Sequence, residues 1–306
     1  MNKSWIITTD EKSIKLVGHS QYLTLVYHDL FDYPLLKSEL DFWKVGNQDF
    51  PNHQVFYDSS FYFLPQRREI VYKRIAAHKE SQKKYEIAKK VARILSLVPT
   101  IQMISISGLL SMGNAKRNSD VELFIVTSPK TVWATRLVGG FLLSLINYRS
   151  GKDNKFCINR WVDVQNLSLA DSCEIFTAHE IVQTKVLLDK GGVYRKFIGS
   201  NSWVKQFFPN AYKKCFQYSR KYTNFKPSFK NTVIEWLTNK ISCLFEKPAK
   251  ILQRMTLSRS RSEGCTNGKI MLEQKYWQEK VPKLYLFRLE HVLQRSCSSE
   301  VQQYID

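Results

Sequence analysis

"SGLLSMGNAKRNSDVELFIVT", Ser107 to Thr127, carries the most informative pattern in the sequence. A glycine turn, a polar loop and an apolar strand bearing two acidic residues follow one another in it. Asp120 and Glu122 lie two apart, so in a strand both project from one face. Two carboxylates so placed repel unless a cation compensates, and hard oxygen ligands at that spacing suit Mg²⁺. The glycine beside them lets the backbone approach a phosphate, whose charge backbone N–H groups can hold. Together these parts predict a metal-and-phosphate site of the phosphoryl-transfer kind. The plainer alternative is a β-hairpin with a charged edge.

Around this stretch the pattern is one of strands and helices in mixed order. "IQMISIS" (Ile101–Ser107) reads as the strand before the turn, and the short connection to "VELFIVT" predicts that the two are neighbours in a mixed sheet. "SPKTVWATRLVGGFLLSLI" opens a helix, with Ser128 as N-cap and Pro129 at the first helical position. "KFCINRWVDVQ" (Lys155–Gln165) alternates as a third strand, on which Asn159, Trp161 and Asp163 share a face. "ADSCEIFTAHEIVQTKVLL" and "GVYRKFIGSNSWVKQFF" read as helices. The remainder reads as helical and basic, broken at Ser258–Gly268. His179-Glu180 lacks the second histidine of a zinc-protease helix, so a helix–helix contact is favoured over a substrate-lining role.

Upstream, a polar preamble precedes a helix over "QYLTLVYHDLF" (Gln21–Phe31), which stops where Pro34 disfavours a helical Tyr33. A second helix covers "LLKSELDFW" (Leu35–Trp43). Two aromatic strands flank Asp58-Ser59-Ser60 as a hairpin. Two helices and a β-wing suggest a winged-helix module. The third helix that such a module places in DNA has no room between Trp43 and Val55, so duplex-DNA reading is not expected. From Arg67 to Leu97 runs a long amphipathic helix, with Ile70, Ile75, Tyr85, Ala88, Ala92 and Leu95 on its apolar stripe and Lys/Arg opposite. The division expected is a degraded winged-helix-like module over 1–66, a sheet domain with its leading helix over 67–210, and a basic helical region over 211–306.

These motifs resemble the nucleotidyltransferase superfamily that includes DNA polymerase beta and the kanamycin nucleotidyltransferases. Gly108 matches the glycine of its Gly-Ser turn, Ser119 the serine before its acidic pair, and Asp120 and Glu122 the pair. The order of "FDYPL", "FYFL", "SMGNAKRNSDVELFIVT", "WATRL", "FCINRW", "FTAHEIVQ", "NSWV" and "FPN", over roughly Phe31 to Asn210, resembles more closely the predicted nucleotidyltransferases of candidate-phylum bacteria. The resemblance implies an α+β fold, with a nucleotidyltransferase-type mixed β-sheet and flanking helices. It implies Mg²⁺ (or Mn²⁺) on Asp120 and Glu122, with an NTP as substrate cradled at Gly108, Leu109 and Ser119. It also implies a third carboxylate acting as metal ligand and base. Asp163 is the candidate, although a strand-end aspartate facing water is the simpler reading. Arg136 could reach a phosphate or pair with a surface carboxylate. Two departures stand out: Leu109 replaces the family's serine hydroxyl, and Glu122 replaces its second aspartate.

At 306 residues and 43% hydrophobic, the chain can bury a real core. No apolar run approaches the ~20 residues that span a bilayer, and "MNKSWIITTDEKS" carries no signal-peptide pattern. A cytoplasmic protein with no membrane partner is expected. Six cysteines, scattered singly, argue against a disulfide framework or zinc site. The net charge of +19 is concentrated after Asn201, where 19 Lys/Arg face 8 Asp/Glu. That balance favours RNA, nucleotide or another polyanionic partner; a uniformly lysine-rich surface is the alternative. Three function classes follow, in order. They are a Mg²⁺-dependent nucleotidyltransferase, a catalytically impaired relative with a regulatory role, and a nucleic-acid adaptor.

Overall fold

The computed structural model describes residues 13–46, 52–150, 155–222, 229–257, 265–266, 268–272 and 275–303. Strands β1 (Ser13–Gly18), β2 (Leu35–Leu36), β3 (Asn52–Asp58) and β4 (Phe61–Phe63) form an antiparallel sheet in the order β1-β3-β4-β2. Helices α1 (His19–Asp29) and α2 (Lys37–Phe42) fold against it. The β3–β4 hairpin turns at Ser59 and Ser60, with φ of 49° and 74°, the pair of positive angles a two-residue type I′ turn needs. Strand β1 lies in the stretch whose polarity suggests a preamble. Its pairing with β3 comes from a partner forty residues away, which local polarity does not reveal. Between Trp43 and Asn52 the described residues hold no helix; 47–51 lie outside them.

The long helix α3 (Glu69–Leu95) leads into a five-stranded sheet in the order β8-β5-β6-β7-β9. Its members are β5 (Ile101–Ile106), β6 (Val121–Thr127), β7 (Phe156–Asp163), β8 (Lys185–Asp189) and β9 (Lys269–Met271). β5 and β6 are antiparallel neighbours as expected; β6 and β7 run parallel, which makes the sheet mixed. One sheet face packs Val121, Leu123 and Ile125 against Ala88 and Leu95 of α3 and Trp133 of α5 (Val132–Ser150). The other packs Phe124 and Val126 against α6 (Ile175–Gln183), α7 (Val193–Ser200) and α8 (Pro209–Tyr218). That second cluster continues without a break into Leu25, Tyr27 and Trp43, so the N-terminal helices share a core with the central sheet. The single turn α4 (Gly108–Ser111) sits between β5 and β6, helices α9 (Phe229–Thr256) and α10 (Lys275–Gln303) follow, and Val281 and Tyr285 of α10 join the same core.

Three local expectations are corrected. "KVLLD" (Lys185–Asp189) and "KIM" (Lys269–Met271) are edge strands rather than helix, because each finds an antiparallel partner, β5 and β7 respectively. Helix α5 starts at Val132 and not at Pro129: Lys130 has φ of 59°, which no helix accommodates. Its open N-terminus is instead capped from α9, where Glu246 accepts from the Trp133 and Ala134 N–H groups at 3.0 and 2.9 Å. On α3, Arg74 and Lys84 are buried on the stripe while Tyr85 lies half out.

Candidate functional site

The loop from Asn114 to Asp120 is held onto α3. Ser81 accepts from the Ala115 N–H at 2.9 Å, and Lys84 donates to the Ser119 carbonyl at 3.0 Å. Ser119 itself closes the turn: its hydroxyl accepts from the Lys116 N–H at 3.0 Å. Beyond this anchor the two acidic residues part company. Asp120 lies just before β6, its side chain 43% exposed with Lys155 at 3.9 Å. Glu122 turns inward against Gly108. That glycine has φ of 60°, and a Cβ there would stand 2.6 Å from the Glu122 carboxylate. Only glycine permits both the turn and this close approach.

Glu122 opens onto a cavity of about 500 Å³ bounded by the Gly108 turn, α1, α6 and the start of α10. Phe31, Tyr33, Phe176 and Trp277 give it aromatic walls; Asn159, Gln183 and Glu180 add polar groups. Leu109 and Gly108 line it, whereas Asp120, Ser119, Arg136 and Asp163 are not among its lining residues. Arg136 hydrogen-bonds the Gln253 side chain of α9 instead.

Asp163 departs furthest from expectation. On β7 the pairs Leu123–Ile158 and Phe124–Arg160 leave Asn159 as one extra residue, a bulge. Alternation reverses there. Phe156 and Ile158 face the α3 side, and past the bulge Trp161 does too. Asp163 pairs with Thr127, on the face opposite Glu122 and about 16 Å along the strand. It is 2% exposed and accepts from the Gln165 N–H and the Asn166 amide, both at 2.8 Å. The expected third carboxylate is thus a loop cap, and the β7 side chain that shares the cavity with Glu122 is Asn159. Among the described residues, no group of three or more His, Cys, Asp and Glu side chains is arranged to hold a metal ion.

Helix α6 serves both roles open to its His179, helix packing and cavity lining. His179 is buried among Tyr27, Trp43 and Phe208, its ring centroid 4.5–5.7 Å from theirs, yet it also lines the cavity. His28 lies 5.3 Å from it, centroid to centroid. Burial pushes the His28 imidazole down to about 3, and holds His179 well below the ordinary range. Both rings are therefore neutral near pH 7. His28 Nδ1 meets the Thr24 carbonyl at 2.8 Å; a carbonyl only accepts, so Nδ1 carries the proton and Nε2 is left an acceptor. Nε2 of each ring is buried without a hydrogen-bond partner. Glu180 is engaged by Arg160 at 3.4 Å and by the Gln183 amide. Burial also pushes the Glu39 carboxyl up to about 7, beneath Tyr33, where Arg74 bridges it at 2.7 Å. The signal for the histidines was present in "VYHDLF" and "TAHEIVQ", but only tertiary packing brings the two together.

No family model matches the chain, and no curated protein matches it. Among solved structures, one titled "Crystal structure of the toxin-antitoxin with AMP-PNP" aligns with 57% of this chain and 98% of its own, at 16% identity and a TM-score of 0.23. A likeness that loose carries neither fold nor function, and both rest on the residues themselves.

Proposed function

We propose that the chain is a nucleotidyltransferase-type protein that keeps a nucleoside-binding cavity and has lost most of the machinery for transfer. The observation that carries this reading is the separation of its acidic residues: Glu122 opens on the cavity, Asp120 sits outside it beside Lys155, and Asp163 caps a loop on the other sheet face. Mg²⁺ takes one or two carboxylates together with substrate phosphates. Bound there, it would supply charge neutralisation at a transferring phosphoryl group, but Asp120 and Glu122, parted between Lys155 and the cavity, do not fit it as a shared site. The other carboxylate of the cavity wall, Glu180, is engaged by Arg160 and Gln183 and so is not free to act as a base. Leu109 adds no hydroxyl donor. The N-terminal module is read as a winged helix given over to packing.

Among the described residues lining the cavity there is no Lys or Arg to serve as countercharge for a triphosphate. Aromatic walls with carboxylate, amide and imidazole acceptors suit the base of a nucleoside, and an amino-bearing base best. Calorimetric titration of the full chain with adenosine, inosine and ATP, with and without Mg²⁺, tests this. Adenosine should bind without metal and about tenfold tighter than inosine, the effect of one lost donor to a charged acceptor. A parallel assay follows label from α-labelled NTP, with Mg²⁺ or Mn²⁺, to RNA and protein acceptors. Little transfer is expected, and Leu109→Ser should not raise it.

A second reading, Mg²⁺-dependent transfer of a nucleoside monophosphate to a hydroxyl acceptor, is favoured by the Gly108 turn and Glu122 meeting at one cavity mouth. Transfer that Asp120→Asn abolishes and Leu109→Ser increases would put this reading first.

A further inference from the structure

Helix α9 has three faces about a third of a turn apart. The inner face meets α5 through Glu246, Ala249 and Gln253. Glu246 caps the α5 N-terminus, Ala249 is buried, and Gln253 donates to the Trp133 carbonyl at 2.8 Å. A second face carries Leu237, Ile241, Leu244, Phe245, Leu252 and Met255, and all six stand in solvent, from 49% exposed for Leu237 to 80% for Met255. The third carries Lys240, Lys247, Lys250 and Arg254, along one edge of the apolar face. Neighbouring α5 bears its own exposed stripe, including Phe141 and Tyr148. Scattered apolar residues on a surface need no explanation. A continuous face of this length marks an interaction surface.

We propose that α9, with α5 beside it, lies on the surface of an anionic membrane, its apolar face sunk at the headgroup boundary and its basic edge on lipid phosphates. An amphipathic helix with large apolar side chains on one face and Lys/Arg beside them is the pattern for lying in that interface. Among the described residues no helix is long and apolar enough to cross a membrane, so the association is one of surface contact. Charge decides against the other occupants. A second copy would bring one chain of net +19 against another. A nucleic acid would engage the lysines and leave the apolar face wet. The proposal is independent of what fills the cavity.

Co-sedimentation of the full chain with phosphatidylcholine vesicles, with and without phosphatidylserine, is the test. The chain should partition to phosphatidylserine vesicles at least about tenfold better than to neutral ones, and less so as salt rises. Lys247→Gln and Lys250→Gln should each lower partitioning about fivefold. Phe245→Ser should lower it about tenfold or more. Phe245 and Lys247 are exposed, so thermal unfolding of those two variants should be unchanged and their loss of binding cannot be put down to misfolding; Lys250 is half-buried near Glu246, so its variant is read only beside theirs. No partitioning to either vesicle, or equal partitioning to both, overturns the proposal. So does a dimer in vesicle-free buffer that Phe245→Ser dissociates, which assigns the face to a second copy. RNA binding lost in the lysine variants and kept in Phe245→Ser would assign it to nucleic acid and overturn the proposal equally.

Discussion

The two ends of the β6–β7 pair each carry a carboxylate from the sequence motif, and they use it in opposite ways. At the near end Glu122 presses on a glycine turn and faces a cavity; at the far end Asp163 is buried and spends both oxygens on backbone and side-chain donors. The residue chemistry is nearly the same. What separates the roles is one extra residue, Asn159, which reverses the alternation of β7 between them. A carboxylate therefore tells little about chemistry until its sheet face is known, and a strand face read by alternation holds only as far as the next bulge.

The largest effect should come from breaking the far end. Asp163→Ala leaves the Gln165 and Lys130 N–H groups and the Asn166 amide without their acceptor, and should cost about 3 kcal/mol. Glu122→Gln should stay within about 1 kcal/mol of the parent in stability yet weaken adenosine binding. Urea unfolding beside adenosine titration checks the pair. If Asp163→Ala unfolds like the parent and loses the ligand, the roles assigned to the two ends are interchanged.

Acid sharpens the same contrast from the cavity side. His28 has its folded-state value pushed down to about 3 by burial, so its contribution is complete above its unfolded value near 6.5 and is lost as pH falls towards 3. By pH 5 this one ring should remove about 2 kcal/mol of stability, and His179 acts in the same direction. Unfolding free energies measured at pH 7 and pH 5 would show it. Equal values would mean that the rings are not buried neutral beside the cavity.

Gly108→Ala should cost about 1–2 kcal/mol, since its φ is positive and the new methyl displaces the Glu122 carboxylate. Adenosine affinity should fall with it. The smallest effect is expected at Leu109, 40% exposed at the cavity rim. There Leu109→Ser should move stability by no more than about 0.5 kcal/mol, and a larger change in the melting curve would show that its side chain packs more than its exposure suggests.

The features legible in the residues alone are local. The glycine turn between two strands, the β5–β6 adjacency, the β3–β4 hairpin at Ser59-Ser60 and the long helix α3 all follow from periodicity, turn chemistry and short connections, which act over a few residues. The α+β class followed from the order of those elements. Tertiary structure alone decided the rest. β1, β8 and β9 are strands because a distant edge offered backbone partners, and "KVLLD" taken alone reads equally well as helix. Glu246, more than a hundred residues downstream, caps the start of α5. The bulge at Asn159 placed Asp163 on the wrong face for the site, and the cavity was assembled from His28, Glu122, His179 and Trp277, four residues on four separate elements. Burial and pairing are free energies of the whole chain, so residues that share a site need share no pattern in the sequence.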